Sequence, residues 1–161
     1  MVELLHQPGF LGTAANFATD MTLVLMLVVA AAFSVGALLA HAGKYEVHRW
    51  VQTAAAVVSG ILVLWLMLLP YRDFILPGVP GRLGEAFYGV TTLHALVGAV
   101  AFPFGIFVVL RGHGLVPPRL QFSNYKLFMR TAYVLYMTTI ALGVATYVVW
   151  FVTNPNPPHF G

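Results

Sequence analysis

Four long stretches of this chain hold no charged side chain: Asp20 to Lys44, Arg49 to Arg72, Glu85 to Arg111, and Arg130 to the C-terminus, taken between the named residues. Each exceeds the roughly 20 residues that carry an α-helix across about 30 Å of hydrocarbon. Hydrocarbon offers no partner to backbone N–H and C=O groups, so a chain that crosses it must satisfy them internally, as helices or as a closed barrel. Barrel strands would read as segments of about 10 residues alternating in polarity, and nothing in this chain alternates in that way. The expectation is an all-α integral membrane protein. Composition agrees, with 60% hydrophobic and 8% charged residues, where soluble domains carry about 25% charged.

The basic residues predict an orientation. Lys44, Arg49, Arg111, Arg119, Lys126 and Arg130 fall between spans one and two or between spans three and four, whereas Arg72 and Arg82 alone lie on the other side. Because cytoplasmic flanks collect Lys and Arg, this partition predicts a four-transmembrane-helix up-down-up-down bundle with both termini outside, in a bacterial or archaeal inner membrane. The expected organisation is an outside segment at 1–19, a membrane domain at 20–153 with spans near 21–42, 47–70, 86–111 and 124–152, and an outside tail at 154–161. The cations are scattered at helix ends instead of clustered, which excludes a nucleic-acid partner in spite of a pI near 9.5. The chain has no cysteine, so disulfides and thiolate metal sites are excluded.

Local signals refine the spans. Asp20 is placed to cap the first helix on the positive end of its dipole. Ala32, Gly36 and Ala40 on span one, and Ala56 with Gly60 on span two, have the spacing by which helices approach closely in lipid, and predict tight packing between these two spans. Pro70 is expected to end span two before a loop from Tyr71 to Gly84, in which Arg72 with Asp73 and Arg82 with Glu85 can pair. Pro103 interrupts span three. Ser123 is the expected cap of span four, Thr139 and Gly143 its close-contact stripe, and Tyr147 with Trp150 its aromatic belt at the outer interface.

His94 is the only histidine committed to a hydrophobic interior, about 12 Å from the boundary at 1.5 Å per residue. Polar groups at such depth are costly and mark functional sites by default. One reading is an axial ligand for b-type haem, with Met26 on span one or Met67 on span two at matching depth. The other is a structural histidine bonded to Thr91, to a carbonyl or to a tyrosine. His48 lies at the opposite membrane boundary, about 20 Å away along the bundle axis, so the two histidines cannot share one iron. His41, His48 and His113 gather near the cytoplasmic side and read as solvated interface residues. No acidic pair, phosphate loop or Ser/His/Asp set occurs within the spans, so no catalytic residue and no metal site is assigned.

The segments His48-Arg-Trp, Thr91-Thr-Leu-His94-Ala-Leu-Val-Gly, and Arg130 with Gly143-Val-Ala-Thr-Tyr147 resemble the small four-helix YozB/CtaM-like membrane family associated with haem-copper oxidases, over about residues 20–153. That resemblance implies an outer and an inner pair of histidines. This chain keeps one member of each, His94 and His48, with Pro70 or Tyr71 and Tyr125 at the other two places. The expected function is a non-catalytic accessory or assembly subunit of a respiratory or photosynthetic electron-transfer complex, working through packing against other transmembrane subunits and lipid. The alternative is a haem b or quinone-binding electron-transfer protein using His94.

Overall fold

The computed structural model describes residues 6–157. Residues 1–5 of the expected outside segment and 158–161 of the expected tail lie outside that range. Among the described residues the chain is helical without strands, and four helices are long and apolar enough to cross a membrane: α1 (Phe17–His41), α2 (Tyr45–Gly78), α3 (Ala86–Gly112) and α4 (Tyr125–Val152). The protein is a multi-pass membrane protein. Consecutive helices pack on one another, most extensively α1 on α2 and α3 on α4, and α4 returns to α1.

Helix boundaries follow caps more than charges. α1 begins at Phe17, four residues before the expected start, because Asn16 and not Asp20 is its cap: the Asn16 side chain accepts from Thr19 N at 3.0 Å. α4 begins behind Asn124, which accepts from Leu127 N at 3.3 Å, so Ser123 is not the cap. Gly43 and Gly114 stop α1 and α3 in the left-handed region, each at φ 73°, a conformation that costs glycine no Cβ clash.

Pro70 does not end α2. Wide i→i+5 turns at Leu62–Met67 and Tyr71–Ile75 flank it, and the helical path continues to Gly78. A proline lacks one N–H and crowds the carbonyl four residues back; wide turns re-register the neighbouring hydrogen bonds and accommodate the ring. The expected loop therefore shrinks to residues 79–85. Both anticipated ion pairs form, Arg72 to Asp73 within α2 and Arg82 to Glu85 within the loop, each at 2.7 Å.

Two apolar clusters hold the helices together. One, at the end where α1 begins, gathers Ala15, Ile75, Tyr88, Tyr147, Trp150 and Phe151; we call this the upper end. The other, farther along the helices, gathers Val29, Phe33, Ala55, Ala101 and Tyr136. Tyr147 and Trp150 are thus core residues and not a lipid-facing belt. Each buries its ring because its polar atom finds an interior partner: Tyr147 donates to Asp20 at 2.6 Å, and Trp150 Nε1 donates to Thr91 Oγ1 at 2.7 Å.

Glycines set the helix spacing. Gly36 receives the Gln52 side chain of α2, whose amide donates to Phe33 O at 3.2 Å, so the small residue on α1 does serve the α1–α2 contact. Gly60 does not. It faces α3, where a Cβ would sit 3.5 Å from the Phe102 ring. Gly105 of α3 lies directly under the Tyr136 ring of α4.

Candidate functional site at the interior histidine

Thr91, Gly98, Ala101, Gly105 and Val108 recur at helical spacing and are the inward face of α3. His94 shares that face, and its Nδ1 lies 2.9 Å from the Thr139 carbonyl of α4. A carbonyl only accepts, so Nδ1 carries the proton and Nε2 keeps its lone pair. Gly143 makes the approach feasible. A Cβ there would fall 3.1 Å from His94 Cε1, 2.5 Å from Met26 Cε and 3.4 Å from Met26 Sδ. One missing side chain on α4 therefore admits both the imidazole of α3 and the thioether of α1.

Beyond the imidazole lies a cavity of about 40 Å³, counted as space for the centre of a water-sized sphere. Its wall includes Met26 of α1, Ser59 and Met67 of α2, His94 of α3 and Tyr136 of α4. The structure thus brings three of the residues singled out in the sequence, Met26, Met67 and His94, to one cavity. Tyr136 is 7% exposed and its hydroxyl has no hydrogen-bond partner; the Ser59 hydroxyl approaches it without reaching bonding geometry. An orphaned buried hydroxyl at a cavity wall points to an occupant that supplies the missing bond. Among the described residues no three His, Asp or Glu side chains gather to hold a metal ion.

His48 belongs elsewhere. Its Nδ1 donates to Gly36 O at 2.7 Å, fastening the α1–α2 hairpin. Gly36 stands ten residues from Met26 on α1, about 15 Å along the axis, so His48 and the His94 cavity are separate sites. His41 donates to Ala37 O of its own helix, and His113 Nε2 lies 2.8 Å from Thr53 Oγ1 with its ring edge-on to Trp50. The three lower histidines each hold a different contact and do not converge.

A haem or quinone does not fit this site as it stands. Organic ligands occupy clefts of about 300–1,000 Å³, and the space beside His94 is ion- or water-sized. The imidazole itself is prepared as a ligand, with one nitrogen spent on a carbonyl; room is what is lacking.

Comparison with family models, with curated proteins and with solved structures gives no match. The likeness to the YozB/CtaM-like family therefore rests on the sequence segments alone.

Sequence reading overlooked Tyr136 and Ser59. A signal existed for Tyr136: it precedes Thr139 by three residues and Gly143 by seven, which puts it on the stripe already marked for close contact. Asp20, read as a cap, is instead a fully buried carboxylate at the upper end, with Leu11 N on Oδ2 at 2.7 Å and the Tyr147 hydroxyl on Oδ1.

Proposed function

We propose that this protein is a non-catalytic accessory or assembly subunit of a membrane electron-transfer complex, acting through transmembrane helix packing. The observation that supports this best is the use made of His94. The interior histidine joins α3 to α4 through Thr139, beside a space too small for an organic electron carrier. The interhelical connections, 42–44, 79–85 and 113–124, are short and contain no domain of their own. What the chain offers a partner is its flank, where Trp65, Leu64 and Leu68 of α2 stand exposed. The electron-transfer setting is supplied by the family resemblance.

In this reading the helices alternate in direction with both termini outside, as the six-to-two division of Lys and Arg implies. A cysteine replacing His113 should resist labelling from the periplasmic side of intact cells while one replacing Pro155 reacts; the reverse pattern inverts the orientation.

The decisive test is mild detergent extraction from native membrane, native gel separation and mass identification of co-migrating chains. Oxidase, reductase or photosynthetic subunits beside this chain support the proposal. Recovery as an isolated monomer across several mild detergents overturns it. An optical spectrum of the purified protein addresses the alternative, since a Soret band lost on changing His94 would establish a haem protein.

A further inference from the structure

Three uncharged donors meet at one depth of the bundle. Gly143 borders both His94 and Met26, which aligns α1, α3 and α4 at that level. Gly60 faces Phe102, which aligns α2 with α3. Met67 lies seven residues beyond Gly60 and His94 eight residues before Phe102, offsets of about 10 and 12 Å. Met67 therefore reaches the cavity at the level of His94. It is also the last residue of the wide turns Leu62–Met67, and such turns, which shift the register of the side chains that follow, are frequent at functional sites.

We propose that the imidazole Nε2 of His94 and the thioethers of Met26 and Met67 form a site for a soft monovalent metal ion, Cu(I), within the membrane span. Three features select that class. Thioether and imidazole ligands are the soft set that favours Cu(I), whereas calcium and magnesium demand shells of six or more oxygens, usually with carboxylates, and this wall has no carboxylate. All three ligands are neutral, so a divalent ion would bury two uncompensated charges where Cu(I) buries one. The Nδ1–H bond to Thr139 O fixes the tautomer and aim of the ring, as outer partners of metal-bound histidines do. The cavity has ion-scale room, with space left for water at Ser59 and Tyr136; by the same measure one water needs about 10–15 Å³. That water satisfies the Tyr136 hydroxyl.

The test uses the purified full chain in detergent and Ag(I), a redox-inert stand-in for Cu(I). One Ag(I) should bind per chain, and Met26→Leu and Met67→Leu should each weaken binding at least tenfold, while Met129→Leu, outside the cavity lining, leaves it unchanged. Leucine keeps the volume of methionine, and gel filtration with circular dichroism checks that the variants stay folded. X-ray absorption on the Cu(I)-loaded parent should show sulfur and nitrogen scatterers together. Absence of stoichiometric binding, affinity indifferent to both cavity methionines, or a shell without sulfur would each overturn the site.

Discussion

The Tyr147 hydroxyl donates a 2.6 Å hydrogen bond to Asp20 across 127 residues of chain, joining the last turns of α4 to the first turn of α1. Thr13 Oγ1 lies 2.6 Å from the same phenol oxygen, and Ala14 N reaches Phe151 O at 3.4 Å, so the segment before α1 is laid over the upper end of the bundle. Asp20 then has both carboxylate oxygens occupied by donors from two directions. A buried acceptor of this kind is expensive to leave unmatched.

Tyr147→Phe removes the donor and leaves the buried carboxylate short of one bond. It should destabilise the protein by about 1–3 kcal/mol, the cost of leaving a buried hydrogen-bonding group unsatisfied. Thermal melting in a fixed detergent measures this, and protease cleavage near residue 13 should accelerate in parallel. An unchanged melting point with unchanged cleavage would remove Asp20 as the anchor of the N-terminal segment.

Gly105 and Gly36 separate rigid from yielding contacts. A methyl at Gly105 drives into the Tyr136 ring, which is held between α1 and α3 and tilted against Phe33 with ring centres 4.7 Å apart. A methyl at Gly36 meets the flexible Gln52 side chain. Gly105→Ala should cost about 1–3 kcal/mol, as overpacking does, and Gly36→Ala should cost less because Gln52 can swing aside. Melting points of the two variants in one detergent decide it, and equal losses would mean that Tyr136 yields as easily as Gln52.

Outside the membrane spans, the Arg82 guanidinium bonded to Glu85 holds the carboxyl below the usual carboxylate range. A carboxyl depressed in the folded state adds stability that is present above its ordinary value and lost as pH falls through the depressed one. Both groups are solvent-exposed, so salt should screen the effect. Melting temperature followed from about pH 7 to about pH 3 should fall less steeply in Arg82→Gln than in the parent, and the difference should shrink at high salt. Superimposable profiles would show that the pair adds nothing. Arg82 also lies 4.4 Å from the Tyr88 ring centre and donates to its hydroxyl, so its loss should loosen the start of α3 as well.

Helix number and the depth of His94 follow from chemistry that is local in sequence. A run of some 20 uncharged residues must become a helix in hydrocarbon wherever the rest of the chain lies, and counting turns places a residue along its own axis. Partners obey no such local rule. Tyr147 and Trp150 carry the composition of an interface belt, yet they turn inward because Asp20 and Thr91, far off in sequence, arrive beside them. Gly60 has the spacing expected of a contact with α1, but packing gives it to Phe102 of α3. The meeting of His94, Met26 and Met67 belongs between these cases: matching depth was legible from counting residues, whereas rotation about each helix axis was not. Gly143 and the wide turns of α2 set that rotation, and only the packed bundle reveals which faces they leave turned toward one another.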